Sequence, residues 1–118
     1  LTIGFTSDEI NKIKKELNNQ EIYEIPEQCE EWKIEKIVNE AQNLGGNGNW
    51  HDKKFILMHG LGNDEVKEVL GDIKTLGFEN AIFATTTPTS MTWNLNKAID
   101  EWIREHEIHK KSSRGENF

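Results

Sequence analysis

The feature that most constrains this chain is a similarity between its two halves. Residues 4–10 align with residues 60–66, a constant separation of 56 positions. Each stretch holds a glycine and then an acidic pair, which suits the first turn of a helix because the helix dipole favours negative charge there. Ser7 and Asn63 are the predicted N-caps, and apolar residues follow at helical spacing. We therefore predict two diverged copies of one strand–helix–strand–helix unit.

Each half contains two predicted strands, and the second strand of each half runs into a proline. Pro26 and Pro88 end these strands because proline cannot donate a ladder hydrogen bond. Trp32 and Trp93 follow, and each opens an amphipathic helix. The predicted strands cover residues 1–5, 21–25, 55–59 and 80–85.

The chain has 118 residues, which is enough for one hydrophobic core. We predict a single α/β domain over 1–109, with repeat one at 1–44, a glycine-rich linker at 45–53 and repeat two at 54–109. Residues 110–118 have no periodicity and are expected to form a frayed tail. Because the sequence starts with Leu1, within a predicted strand, we also expect that residues are missing upstream.

Strands that alternate with helices favour right-handed crossovers and a parallel sheet. The predicted fold is a small four-stranded parallel sheet of order 2-1-3-4 with helices on both faces. Ligands of such sheets bind beyond the carboxyl ends of the strands, where the strand order reverses. In an antiparallel arrangement of the two halves, these loops would lie apart and the predicted site would not form. The predicted ligand-binding residues are Thr6, Ser7, His59, Gly60, Gly62, Thr86, Thr87 and Thr89.

Charge and composition limit the possible partners. The formal net charge is −7, and lysines alternate with acids, so phosphate backbones would be repelled and nucleic acid is not expected as a partner. No apolar run is long enough to predict a membrane span or a membrane partner. The single Cys29 forms no internal disulfide, which favours a cytoplasmic location.

The second half resembles an uncharacterised family of bacteria and archaea, domain of unknown function 3783. The resemblance is carried by Leu57-Met58-His59-Gly60-Leu61, by Asn63-Asp64-Glu65, and by Ala84-Thr85-Thr86-Thr87-Pro88-Thr89-Ser90-Met91-Thr92-Trp93. It implies no activity, because the family has no assigned function. The first half replaces the threonines with Pro26-Glu27-Gln28-Cys29-Glu30-Glu31-Trp32, so a function that depends on side chains is expected on the second repeat.

The threonine-rich loop has two interpretations. Its hydroxyl and amide groups at the start of a helix could hold an anion, or they could cap the helix and satisfy the loop's own backbone. His59 is either a general base or a packed residue at the end of a strand. Gly60 and Gly62 lack the further residues of a phosphate-binding motif. Cys29, surrounded by glutamates, is expected to be inert. No catalytic residue, cofactor or metal site is predicted.

Two hypotheses of function follow. The first is a non-enzymatic interaction or regulatory module that binds a partner protein or itself through acidic helix faces or an edge strand. The second is a small anionic ligand, bound or transformed at the predicted crevice. We favour the first, because no catalytic motif is present. Trp50, which follows the linker without a periodic partner, is predicted either to cover an edge or to meet a partner.

Overall fold

The computed structural model describes residues 1–17, 20–78 and 80–116, with the backbone alone from residue 109 onward. Short 3₁₀ turns at Glu27–Cys29, Ala41–Asn43 and Ser90–Thr92 precede or follow the regular helices. The strands and α-helices are β1 (Thr2–Ile3), α1 (Ser7–Glu16), α2 (Ile34–Asn39), β2 (Phe55–Met58), α3 (Asn63–Thr75), β3 (Ile82–Thr85) and α4 (Leu95–Glu116).

The sheet of the described chain is three-stranded and mixed, in the order β1-β2-β3. β1 pairs with β2 in antiparallel fashion, with Thr2 opposite Ile56, whereas β2 and β3 are parallel, with Phe55 opposite Ile82. The prediction of a four-stranded parallel sheet of order 2-1-3-4 is therefore wrong. Residues 21–25 form no regular strand and contribute one isolated parallel bridge, from Glu24 to Thr2.

The linker explains the antiparallel pairing. Gly48 lies directly against β1, where a Cβ atom would come within 2.9 Å of the Thr2 carbonyl oxygen. The Gly48 carbonyl accepts a 2.7 Å hydrogen bond from the Gly4 amide. The chain then reverses, so that Lys53 and Lys54 pass beside Gly4 at the carboxyl end of β1. β2 therefore starts where β1 ends, and the two strands run in opposite directions.

Both faces of the sheet are covered, because the side chains of β2 alternate between them. Phe55 and Leu57 belong to the apolar cluster that α2 and α4 cover, and Ile56 and Met58 belong to the cluster under α1 and α3. All four side chains of β2 are buried. The central strand therefore holds the two layers together. The helical residues of the clusters include Ile10, Ile13, Ile34, Ile37, Val69, Ile73, Leu95, Ala98, Ile99 and Trp102.

The first helix of each half is entered in the same way. Gly4 and Gly60 both have positive φ angles, +86° and +75°, in the region that glycine adopts most easily. The N-caps are Thr6 and Gly62, one residue earlier than the predicted Ser7 and Asn63. In both helices a glutamate three residues further on accepts a hydrogen bond from the N-cap amide, which satisfies an otherwise unpaired donor.

The two halves also contact each other at residues that the sequence alignment makes equivalent. Leu1 and Leu57 exchange two backbone hydrogen bonds, of 2.9 and 2.8 Å. The segments before α2 and α4 do the same, since Ile34 N donates to Trp93 O and Leu95 N donates to Trp32 O, both at 2.9 Å. Contacts between equivalent positions are what a twofold relation between the halves produces.

The α4 backbone continues to Glu116, through most of the segment predicted to be a frayed tail. Residues 117 and 118 lie outside the described residues, as do 18, 19 and 79. Among the helices of the described chain, none combines the length and the apolar character that crossing a bilayer would require.

Candidate functional site

The antiparallel pairing of β1 and β2 divides the predicted site between opposite ends of the sheet. Thr6 and Ser7 follow β1 and lie near Lys54, at the end where β2 begins. His59 follows the last residue of β2 at the other end, and Thr86 follows β3 beside it. The loops at the His59 end of the sheet also contain Gly60, Gly62, Thr87 and Thr89. The single crevice that would have joined all eight residues does not form.

At the first end, the polar groups are paired with each other. The Lys54 ammonium donates to the Gly4 carbonyl at 3.0 Å and to the Glu9 carboxylate at 2.9 Å. Desolvation raises the pKa of Glu9, but the hydrogen bonds from the Thr6 amide and from Lys54 outweigh it, so the net pKa is lowered. Ser7 is exposed in the first turn of α1. The polar groups at this end of the sheet therefore form the N-cap of α1 and an ion pair that shares Glu9 with it.

At the second end, His59 and Thr86 form a pair. The imidazole Nδ1 lies 2.7 Å from the Thr86 hydroxyl, and the His59 side chain is exposed to solvent. The Thr86 amide donates to the Met58 carbonyl at 3.0 Å, which extends the pairing of β3 with β2. The His59–Thr86 pair therefore links the two chain segments directly after the carboxyl ends of β2 and β3.

The threonine-rich loop uses its hydroxyls to satisfy its own backbone. The Thr87 amide donates to the Ser90 hydroxyl at 2.9 Å, and the Ser90 amide donates to the Thr87 hydroxyl at 3.0 Å. The Thr92 hydroxyl donates to the Thr89 carbonyl at 2.7 Å. The Thr87 and Ser90 amides are therefore paired within the loop, as expected when hydroxyl groups satisfy the backbone of their own loop.

The glycine turn before α3 also has an internal acceptor. The Gly62 amide donates to the Glu65 carboxylate at 3.2 Å. A phosphate bound at this helix start would need the same amide and would face the Glu65 negative charge. Gly60 is exposed, and no atom lies within 4 Å of the position that a Cβ would take. Its positive φ is a conformation that glycine adopts more easily than other residues.

A cavity of about 440 Å³ opens near the His59 end. Leu1, Leu17, Ile22, Met58 and Leu61 are among its apolar walls, and most of its polar groups are neutral. Glu21 is the one acidic residue among the lining residues, and no lysine or arginine is among them. The cavity therefore suits an uncharged and partly apolar group better than an anion.

Cys29 lies in the 3₁₀ turn of the first half and its side chain is fully buried. Burial raises the pKa of its thiol, and the charge of Glu40 raises it further. The thiol is therefore protonated at neutral pH. Among the described residues, no three His, Cys, Asp or Glu side chains converge in a way that could hold a metal ion.

The two edges of the sheet differ, which the sequence alone did not reveal. At the β1 edge, the Thr2 amide and carbonyl are bonded to Tyr23 and Ile25. The Trp50 indole then donates to the Ile25 carbonyl at 2.8 Å, and the Gly48 amide donates to the Glu24 carboxylate at 3.1 Å. Trp50 thus covers an edge, as one of its two interpretations predicted. A charged side chain and a covering loop are two common ways of protecting a sheet edge.

The β3 edge has neither form of protection. The Ile82 and Thr86 amides donate to β2, so the alternation of a strand points the amides and carbonyls of Phe83 and Thr85 outward. No backbone partner for these two amides is present among the described residues. Thr85 is exposed and Phe83 partly so. Residues 81–96 include no acidic, basic or histidine side chain, and this uncharged stretch is the sequence pattern that could have indicated the edge.

The fold and the site define a small α/β domain with two covered sheet faces and one unprotected edge. Residues 54–108, from the start of β2 into α4, match the sequence model of a family described as domain of unknown function DUF3783. The predicted resemblance of the second half is confirmed to that extent. No curated protein and no solved structure matches the chain.

Proposed function

We propose that this protein is a non-enzymatic interaction module that adds an extended segment of a partner protein to its sheet at the β3 edge. The observation that carries the proposal is the contrast between the two edges. The β1 edge is closed by residues 23–25, Trp50 and Glu24, whereas Phe83 and Thr85 present outward backbone groups within a stretch of sequence, residues 81–96, that holds no charged side chain.

Strand addition explains why the site lacks reactive groups. In this mode of recognition the main chain supplies the hydrogen bonds, and side chains on alternate positions supply selectivity. Phe83 and Thr85 together offer two donors and two acceptors, each worth about 0.5–1.5 kcal/mol once formed. Met91 and Trp93, both half-buried, lie on the loop that follows β3 and offer apolar surface close by. Recognition of this kind requires no catalytic side chain.

A displayed library of unstructured peptides tests the proposal. Peptides are selected on the immobilised protein and then on Thr85→Pro, in which the outward amide is removed. Proline is tolerated at an edge position whose N–H does not pair with the neighbouring strand. We expect peptides that bind the parent protein and lose binding to Thr85→Pro. Thr85→Val, which retains the amide, is the matched control and should bind as the parent does. A selection that yields only peptides indifferent to Thr85→Pro would refute the proposal.

The cavity at the His59 end supports a second candidate function, the binding of a small uncharged ligand. Its volume of about 440 Å³ lies within the ordinary range of ligand pockets, and its walls combine apolar side chains with mostly neutral polar ones. Because neither lysine nor arginine is among the lining residues, an uncharged ligand suits this cavity better than an anion. A thermal-shift screen should find neutral apolar compounds that raise the melting temperature, and Leu61→Trp, which fills space at the cavity wall, should abolish that rise. A flat response to such compounds would refute this candidate.

We also propose that the two halves are diverged copies and that the protein is cytoplasmic. The paired positive-φ glycines, the paired capping glutamates and the contacts between equivalent residues support the first statement. The buried Cys29 is free and its thiol is protonated, which supports a cytoplasmic location because disulfides are typical of oxidising compartments.

A further inference from the structure

We infer that the segment that pairs with β3 is β3 of a second copy of this chain, so that the protein forms a closed dimer through its sheet. This inference rests on the proposed function and specifies its partner. It follows from three properties of the edge: its register, its lack of charge and the closure of the opposite edge.

The register of β3 suits an antiparallel partner identical to itself. Phe83 and Thr85 point their amides and carbonyls outward, and Ala84 lies between them. In an antiparallel pair centred on Ala84, Phe83 of one copy exchanges both hydrogen bonds with Thr85 of the other. Ala84 then faces Ala84 at the closer, non-hydrogen-bonded position, where a small side chain fits without a clash. The edge is therefore complementary to itself under a twofold axis.

The distribution of charge along the chain selects the edge that a second copy can use. Each chain carries a formal charge of −7, so two copies repel each other overall, and this repulsion is smallest where the contact surface is neutral. Residues 81–96 hold no charged side chain and include β3 and the loop that follows it. On the covered edge, by contrast, Glu21 and Glu24 would oppose a second acidic chain. Pairing two copies thus brings together the uncharged stretches and keeps the acidic edges apart.

The closed β1 edge makes the assembly finite. A dimer through β3 forms one continuous sheet in which each outer edge is the segment 23–25, held by Thr2 and covered by Trp50. Such an edge offers no second site of the same kind, so growth stops at two copies. If both edges were open, the same contact would propagate into a fibre.

Sedimentation velocity over a wide range of protein concentrations tests the inference. The mass of the parent protein should rise from 13.6 kDa towards twice that value as concentration increases. Thr85→Pro should raise the dissociation constant at least about tenfold, because a symmetric dimer loses the donor twice. Thr85→Val, which keeps the outward amide at the same position, is the matched control, so its dissociation constant should not change.

Amide hydrogen exchange, measured by NMR on the parent protein, decides the question even if Thr85→Pro fails to fold. The Phe83 and Thr85 amides should exchange more slowly at high than at low protein concentration. A parent protein that is monomeric at all concentrations overturns the second copy as partner, and the peptide selection then decides separately whether the edge binds other segments. A dimer with unprotected Phe83 and Thr85 amides, or growth beyond two copies, also overturns the inference.

Discussion

Gly4 and Gly60 provide a matched test of how much the surroundings of a residue, rather than its own backbone angles, determine stability. They occupy equivalent positions in the two halves, and their φ angles, +86° and +75°, differ little. Gly4 is buried and Gly60 is exposed. Replacing each in turn with alanine therefore imposes nearly the same backbone strain in two different environments.

The expected losses of stability follow from what the new methyl group meets. At Gly60 no atom lies within 4 Å, so the cost is the left-handed backbone alone, about 1–2 kcal/mol. At Gly4 the methyl group would overlap the Lys53 carbonyl oxygen and lie 3.1 Å from Lys54 Cα, both backbone atoms that cannot rotate away. Forcing extra volume into a packed site adds about 1–3 kcal/mol to the backbone cost, so Gly4→Ala should cost roughly 2–5 kcal/mol. That is a large part of a typical stability of about 5–15 kcal/mol.

Urea unfolding, followed by far-ultraviolet circular dichroism, measures both losses. We expect the midpoint to fall much further for Gly4→Ala than for Gly60→Ala, with similar m-values if both variants remain two-state. A third variant, Gly45→Ala, has no neighbour within 4 Å and no positive φ, and it should leave the midpoint almost unchanged. Equal losses for Gly4→Ala and Gly60→Ala would refute the reasoning, because they would show that the Lys53 carbonyl does not hold β1 in place.

Three other predictions concern the caps and the buried groups. Glu9→Gln should lower the free energy of unfolding by about 1 kcal/mol at neutral pH, since it weakens the capping box and the Lys54 ion pair. Because folding lowers the pKa of Glu9, this loss of stability relative to the parent should be complete above the ordinary pKa of 4.5 and should shrink as the pH falls below it. A loss that does not change with pH would contradict this. Cys29 should react with a thiol reagent only on unfolding, so rapid labelling of the native protein would contradict its burial. Ser90→Ala should cost about 1–3 kcal/mol in thermal unfolding, because it leaves the Thr87 amide without its acceptor, and an unchanged melting temperature would show that the pair contributes nothing.

The local structure of this chain was largely predictable. Helical spacing of apolar residues indicated α1 and α3, and their starts lie within one residue of the predicted caps. The expectation of parallel strands joined by a helix was also correct within the second half, where β2 and β3 are parallel and α3 connects them. These features depend on residues close together in the chain, whose periodicity and capping chemistry are visible in the sequence.

The relation between the halves was not predictable by the same reasoning. The crossover rule governs two strands joined by a helix, but β1 and β2 are joined through α1, the irregular residues 21–25, α2 and the glycine-rich linker. Their relative direction is set by tertiary contacts, such as the Gly4 amide with the Gly48 carbonyl and the fit of Gly48 against Thr2. Neither contact has a sequence pattern. The predicted crevice depended on that direction, and it therefore failed along with it.

The reciprocal bonds between Leu1 and Leu57 have a consequence for how this molecule can change over time. They set the two halves head to tail, so the turn that follows β1 and the turn that follows β2 lie at opposite ends of the sheet. A substitution in the threonine-rich loop leaves the Glu9 end untouched, and the reverse also holds. Substitutions can therefore accumulate at one end of the sheet while the other end and the common core keep their structure.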